Sequence, residues 1–200
     1  MGDWEKGQQF EREDAALEVM EERARTEYQR GNYSAAEEFI RAAVELDSAD
    51  SSTYFNLGQI LYASGDYIGA IEAYGRSVEE IDDALLNRGL CWELVGEFEK
   101  ARSDYLSVLR GNSKDVDALV NIGTLELGEG NVALAKQYLL QAVALDEKCN
   151  WQLADVFLED GDLARAAKAL EAALQAGESR AWPQLQEVRE QLGRFLEGSS

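Results

Sequence analysis

A row of side-chain amides is the feature of this sequence with the most specific chemistry. Each amide occupies the same place in a repeating pattern, two residues before a small residue. The amides belong to Asn56, Asn87, Asn121 and Gln152, and the small residues are Gly58, Gly89, Gly123 and Ala154. Because a carboxamide both donates and accepts hydrogen bonds, such a row can pair with both polar groups of an extended peptide backbone. The alternative is that these amides only tighten the fold.

Residues that could carry out catalysis are scarce. The chain has no histidine, which removes histidine-dependent nucleophiles, imidazole bases and most zinc sites. Residues 128–133 imitate the glycine-rich turn of dinucleotide-binding proteins, but that turn must follow a strand and here it follows a helical pattern. Residues 155–162 are acidic, yet Val156 and Leu158 stand where a calcium loop needs oxygen ligands. We therefore expect no enzymatic activity, no cofactor and no metal.

The two cysteines indicate packing rather than redox chemistry. Cys91 and Cys149 are far apart in the sequence and cannot form a closely spaced pair. Cys91 lies in an apolar helical stretch beside Trp92, where a buried small apolar side chain is more common than a reactive thiol.

The charge of the chain narrows the choice of partners. Its formal net charge is −20, from 39 acidic and 19 basic residues. This disfavours nucleic acid and anionic membrane surfaces, because both bind through lysine and arginine. It is compatible with a basic partner, although the charge could also serve only solubility. No apolar run approaches the ~20 residues that span a bilayer, and the polar N-terminus does not resemble a signal peptide. We expect a cytoplasmic protein.

The elements that position the amides repeat along the chain. Five glycines are separated by 34, 31, 34 and 31 residues, and an alanine follows each glycine five residues later. The glycines are Gly31, Gly65, Gly96, Gly130 and Gly161, and the alanines are Ala36, Ala70, Ala101, Ala135 and Ala166. Self-similarity at this period predicts a solenoid, in which each unit buries its apolar face against its neighbours.

Each repeat has the pattern of a helical hairpin. Apolar residues recur at three- and four-residue spacing on both sides of each glycine, which is the period of a helix. The glycine predicts the turn, because it can adopt a positive φ and end the first helix. The small residue seven places before the glycine and the alanine five places after it would let the two helices approach closely.

This pattern resembles the tetratricopeptide repeat, a helix–turn–helix unit. Residues 51–81 match best, with Tyr54, Leu57, Gly58, Leu61, Gly65, Tyr67, Ala70 and Tyr74 in the places of the family pattern. The resemblance implies an all-α fold, a right-handed α-solenoid of antiparallel helical hairpins. The five repeats would span residues 17–50, 51–81, 82–115, 116–146 and 147–180. Glu27 and Glu126 replace a usual aromatic residue, so we expect looser packing there.

The two ends of the chain have different predicted roles. Residues 1–16 would form an N-terminal tail and the start of the first helix, with a loose tail over residues 1–11. Residues 181–200 would form a capping helix and tail, in which Pro183 suits the first turn. The apolar side chains predicted to cover the last hairpin are Trp182, Leu185, Val188, Leu192, Phe195 and Leu196.

The resemblance also implies a binding surface, because first helices of the family line a concave groove. Its predicted lining is Phe55, Asn56, Gln59, Asp83, Leu86, Asn87, Asp117, Val120, Asn121, Trp151 and Gln152. An apolar groove with amides and two carboxylates favours a protein or peptide segment that is apolar with some basic residues. The predicted function is a non-catalytic adaptor or scaffold, and the alternative is a dedicated client chaperone for secretion or complex assembly. The sequence does not predict an oligomeric state.

Overall fold

All regular structure in the described part of the chain is helical. The computed structural model describes residues 3–46, 49–79 and 81–197, and of residues 3–12, 82 and 195–197 only the backbone. The helices are α1 (Asp3–Gln29), α2 (Tyr33–Val44), α3 (Ser51–Ser64), α4 (Tyr67–Gly75), α5 (Asp82–Leu94), α6 (Phe98–Gly111), α7 (Val116–Gly128), α8 (Val132–Leu145), α9 (Asn150–Glu159), α10 (Leu163–Gln175) and α11 (Ala181–Glu197). A 3-10 turn at Glu147–Cys149 precedes α9. The predicted all-α fold of consecutive hairpins is confirmed.

The chain divides into two compact units, Met1–Asp104 and Tyr105–Ser200, and the boundary falls inside α6. The first unit holds the hairpins α1–α2 and α3–α4, followed by α5. The second holds the hairpins α7–α8 and α9–α10, followed by α11. Among the described helices, none combines the length and the apolar content that crossing a membrane requires. The exact limits of the five repeats stay a prediction.

Glycine in the left-handed conformation makes every hairpin turn. The five turn glycines have φ between 71° and 88°, and an added Cβ would meet nothing within 4 Å. The backbone conformation, rather than a lack of space, therefore requires glycine. After Gly65, the N–H of Asp66 donates to the carbonyl of Leu61 at 2.9 Å, and the N–H of Ala70 donates to the carbonyl of Asp66 at 2.9 Å. The same two bonds recur in the other four turns.

Close contact between the two helices of a hairpin follows from the small residues. All five alanines that follow the turn glycines are 0% exposed. A Cβ on Gly58 would lie 2.6 Å from the ring of Tyr74, and one on Gly123 would lie 2.7 Å from Cγ of Leu139. These distances are too short for a real contact, so glycine persists in mid-helix despite its low helix propensity. The packing predicted for Gly58 and Gly123 is confirmed.

An ion pair joins α5 to α6. Arg88 occupies the place that Leu57 and Leu153 fill in other hairpins, and its guanidinium donates two hydrogen bonds to the carboxylate of Asp104, at 2.8 and 2.7 Å. Asp104 is buried. The side-chain hydrogen bond from Arg88 to Asp104 raises the pKa of Arg88, so the guanidinium stays charged. A polar contact thus replaces an apolar one in this hairpin.

Three expectations about the packing need correction. Residues 3–11 are helical rather than a loose tail, because α1 begins at Asp3 and this Pro-free stretch contains Glu, Gln and Lys, which favour helix. The predicted side-chain docking of Trp4 and Phe10 lies outside the described side chains. The terminal helix buries Leu185 and Val188 as predicted, but Trp182 is 49% exposed. Side chains of residues 195 and 196 also lie outside the description.

The third correction concerns the two glutamates that replace an aromatic residue. Glu126 is 2% exposed, and its Oε2 accepts a hydrogen bond from Nδ2 of Asn131 at 2.7 Å. Glu27 likewise accepts from Asn32 at 3.0 Å. The glutamate therefore ties the end of the first helix to the turn, and the expected loose packing is wrong for Glu126.

The residue after four of the five turn glycines uses its side chain in one of two ways, and the fifth, Glu97, pairs with Lys100 instead. Asp66 and Asp162 cap the second helix, accepting from the N–H groups of Gly69 and Arg165 at 2.9 and 3.0 Å. Asn32 and Asn131 make no such cap, and they donate to the glutamate of the first helix instead. Where the turn residue is an aspartate, the first helix has an apolar residue four places before the turn glycine. Where the turn residue is an asparagine, the first helix has a glutamate at that place.

Replacing Gly123 with alanine should destabilise the protein. The new Cβ would collide with Leu139, and forcing extra volume into a packed core costs about 1–3 kcal/mol, more than the ~1 kcal/mol that alanine gains in a helix. Gly128→Ala is the matched control at the end of the same helix, where no atom lies within 4 Å. Urea unfolding should show opposite signs for the two variants. A Gly123→Ala variant as stable as the parent would contradict the close approach.

Replacing Asn131 with aspartate should also destabilise the protein near neutral pH. The new carboxylate could cap α8, but it would face the buried carboxylate of Glu126, and a lost hydrogen bond to a buried group costs about 1–3 kcal/mol. Adding Glu126→Gln should restore most of the loss, because a glutamine can donate to the introduced carboxylate. Thermal melts of the parent, both single variants and the double variant measure this. A single Asn131→Asp variant that melts above the parent would mean that capping dominates.

Candidate functional site

The first helix of each hairpin positions the predicted binding residues. In the first unit, Asn56 and Gln59 lie on α3 and line a cavity of about 220 Å³. Its other walls come from α1, which contributes Glu21, Arg25, Tyr28 and Gln29, and its apolar floor is Ala24, Ile40 and Ile60. The structure therefore brings Asn56 and Gln59 together with a face of α1.

Hydrogen bonds fix some of the cavity walls and leave others open. Glu21 accepts a hydrogen bond from the hydroxyl of Thr53 at 2.8 Å, which links α1 to α3. Arg25 pairs with Glu22 at 2.9 Å on the exposed surface. Within residues 3–46, 49–79 and 81–197, the side chains of Asn56 and Gln59 form no hydrogen bond. Their donors and acceptors are available to a bound segment.

Phe55 packs partly into the hairpin core, and its place in the binding groove stays a prediction. Its ring lies 5.6 Å from the ring of the buried Tyr74, and it packs against the apolar core of the first unit. Phe55 is thus half-buried and contributes more to the hairpin core than to an open surface.

Helix α5 presents three of the predicted residues. Asp83 is exposed, while Leu86 and Asn87 are half-buried. The amide of Asn87, like those on α3, has no hydrogen-bond partner in the described part of the chain. The neighbouring Arg88 is committed to Asp104, so it does not compete for ligands of this face.

The second unit holds the remaining predicted residues on α7 and α9. Asp117 is exposed, Asn121 is half-buried, and Val120 packs against the core. The amide of Asn121 is unpaired among the described residues. Trp151 also packs against the core, and the guanidinium of Arg180 covers its ring at 4.6 Å. Arg180 is held in turn by Glu178, with donor–acceptor distances of 2.8 and 2.7 Å.

Gln152 belongs to a polar cluster that sequence reasoning missed in part. Gln184 on α11 donates to Asp155 on α9 at 2.6 Å. The Oε1 atoms of Gln152 and Gln184 are both buried without a hydrogen-bond partner. Gln184 follows Gln152 by 32 residues, and Gln186 stands where the pattern needs a small residue, so the row of amides alone could not have predicted Gln184.

The cysteines contribute to the core. Cys91 and Cys149 are both free thiols and both buried. Burial raises the pKa of Cys91 to about 12 and that of Cys149 to about 11. Both thiols are therefore protonated near neutral pH and poorly nucleophilic.

The hairpin geometry agrees with a family model. The tetratricopeptide repeat model matches four overlapping segments, residues 21–84, 55–117, 95–148 and 120–184. This chain belongs to the tetratricopeptide repeat family. Proteins of this repeat fold are built to contact other proteins, so the family supports an interaction module of the adaptor or scaffold type.

Individual relatives are more distant. The chain is 32% identical over 106 residues to a protein named lipoprotein NlpI homolog from Haemophilus influenzae, a match that covers 48% of this chain and 33% of that protein. The match thus spans about a third of the length of that relative, and its name describes that protein alone.

Solved structures of other tetratricopeptide repeat proteins share the fold. One from Parabacteroides merdae has a TM-score of 0.75 at 21% identity, covering 92% of this chain and 76% of that one. MamA from Desulfovibrio magneticus has a TM-score of 0.71 at 16% identity, covering 82% and 96%. A protein from Thermus thermophilus has a TM-score of 0.64 at 20% identity, covering 92% and 98%. At these identities the likeness establishes the fold.

Neither cysteine should react with a thiol reagent while the protein is folded. Burial and the raised pKa values keep Cys91 and Cys149 protonated and out of reach at mildly alkaline pH. A disulfide reagent that releases a coloured thiolate should report no rapid reaction in buffer and two reactive thiols in denaturant. Rapid labelling of either cysteine in the folded protein, with the far-ultraviolet circular dichroism unchanged, would contradict the packing described for it.

Proposed function

We propose that this protein is a non-catalytic adaptor that binds an extended or helical segment of a partner protein on the faces of its first helices. The observation that supports this most is the set of unpaired amides on α3, α5 and α7. If the amides served only to tighten the fold, their polar atoms would be hydrogen-bonded within it. An extended backbone supplies alternating donors and acceptors that match them.

The cavity between α1 and α3 supports a specific mode of binding. Its floor of Ala24, Ile40 and Ile60 is apolar, and its rim carries the amides of Asn56 and Gln59. An apolar side chain of the partner would fill the floor, while the amides would pair with the partner's backbone on either side. This division between an apolar anchor and polar positioning contacts is typical of peptide recognition.

Charge supports a partner segment that also carries basic residues. Asp83 and Asp117 are exposed on α5 and α7, and the chain has a net charge of −20. Complementary charge would speed association and select against acidic segments. Arg25, at the edge of the cavity, pairs with Glu22 and does not reverse this balance. The cytoplasmic location predicted from the sequence stays a prediction, and the binding proposal does not depend on it.

The amides of α3 should carry a measurable share of peptide affinity. A random peptide library displayed on phage would be selected against the parent protein, and the selected peptide measured by titration calorimetry. Losing two amide hydrogen bonds at about 0.5–1.5 kcal/mol each should weaken binding roughly tenfold in an Asn56→Ala, Gln59→Ala variant. The control removes two exposed amides from second helices, Gln137→Ala with Gln175→Ala, and should bind as the parent does.

The outcomes separate the possible binding faces. A peptide that ignores the α3 variant but loses affinity in an Asn121→Ala, Gln152→Ala variant binds the second unit. A peptide whose affinity is unchanged in both variants and in an Asn87→Ala variant of α5, with melting temperatures intact, overturns binding on the first-helix faces. A chaperone role would be favoured instead by a stoichiometric complex with one client that aggregates alone.

A further inference from the structure

Three side chains in the second unit form a cluster of oxygen atoms. Gln152 and Asp155 are three residues apart on α9, and therefore lie on one face of that helix. Gln184 reaches across from α11 and donates its Nε2 to Oδ1 of Asp155 at 2.6 Å. Because a carboxylate only accepts, this bond determines which end of the Gln184 amide is nitrogen. The Oε1 of Gln184 is therefore the end of the amide that does not bond to Asp155.

Two acceptors of the cluster have no donor. The Oε1 atoms of Gln152 and Gln184 are buried and have no hydrogen-bond partner. Asp155 receives one bond, from Gln184. A buried acceptor without a partner costs free energy, and native proteins rarely leave two in one place without a reason. A positively charged donor would satisfy both oxygens and would also balance the carboxylate.

The neighbouring cation does not fill this need. Arg180 is bound to Glu178 through two side-chain hydrogen bonds and lies over the ring of Trp151. Burial raises the pKa of Asp155, while the hydrogen bond from Gln184 lowers it. The net increase is the behaviour of a carboxylate that is withdrawn from water without a cation beside it.

We propose that Gln152, Asp155 and Gln184 form a binding site for the ammonium group of a lysine side chain in a partner segment. An ammonium has three N–H donors and no acceptor, which matches two amide oxygens and one carboxylate. The planar fork of arginine suits a paired carboxylate better than three separate oxygens. The site rests on the proposed function, since it names one residue type that a bound partner would supply.

The test uses a small probe, so that no partner has to be known. Protein labelled with ¹⁵N would be titrated with Nα-acetyl-lysine amide, and the side-chain amide signals of Gln152 and Gln184 followed by NMR. Their assignments come from Gln152→Leu and Gln184→Leu variants. Both signals should shift saturably. The diacetylated compound, which has no charged ammonium, and Nα-acetyl-arginine amide should each bind at least about tenfold more weakly.

Two variants complete the experiment. Asp155→Asn keeps the size of the side chain and removes its charge, and should raise the dissociation constant of the lysine probe at least about tenfold. Gln175→Leu, an exposed position on α10, is the control and should leave it unchanged. If the two signals do not respond, or respond equally to the diacetylated compound, water satisfies these oxygens and the proposal is overturned.

The result is independent of the α3 variant of the groove experiment. The lysine probe touches only α9 and α11, so the Asn56→Ala, Gln59→Ala variant should bind it as the parent does. A peptide affinity that the Asn56→Ala, Gln59→Ala variant leaves unchanged, together with a preserved lysine response, would overturn the adaptor proposal for α3 alone. A peptide affinity that falls in the α3 variant, without any NMR shift on addition of the lysine probe, would overturn the ammonium site alone.

Discussion

The left-handed glycine turn is the constraint on which this structure depends. One residue with positive φ reverses the chain, and the next residue then bonds through its N–H to the first helix and through its carbonyl to the second. Without both bonds, the orphan groups at the two helix ends would be left unpaired in a tight turn. The turn also determines where the first helix meets the second. That contact tolerates only alanine or glycine, as the burial of Ala70 and the environment of Gly58 demonstrate.

Side chains at the turn reinforce this geometry in two chemically distinct ways. An aspartate caps the second helix, whereas an asparagine binds a glutamate of the first. In the second arrangement a buried carboxylate receives the donor that it needs, so Glu126 can occupy an aromatic position without a loss of packing. Each pair is internally consistent, since an aspartate facing a glutamate would place two acceptors together.

Hydrogen bonding within the fold also separates structural side chains from those proposed to bind a ligand. Arg88, Asp104 and Glu126 are buried or half-buried and hydrogen-bonded, so they stabilise their hairpins. The amides of Asn56 and Asn87 are half-buried and unpaired within the described residues. Gln152 and Gln184 go further, because each hides an oxygen that nothing in the described fold satisfies. Polar groups withdrawn from water and left unpaired are better explained by a ligand than by stability.

Local rules let the sequence determine the hairpins and part of the candidate site. A positive φ requires glycine wherever it occurs, and a helix repeats its faces at a constant period, so Gly65, Ala70 and Asn56 could be assigned from spacing alone. The amide row follows from that period. Gln184 does not follow from the same rule, because Gln186 stands where the pattern needs a small residue. Only the tertiary structure decided which side chains meet across helices. The bond between Gln184 and Asp155 joins residues 29 apart, and its existence depends on how α11 packs, which no local period encodes.

Packing also decided the exposure of Trp182, which is apolar but faces away from the core because its neighbour Ala181 takes the buried place. The cavity beside Asn56 likewise needs α1, a polar helix whose apolar pattern is too weak to reveal its contacts. Residue type and spacing determine the local conformation, whereas packing determines the contacts between distant helices.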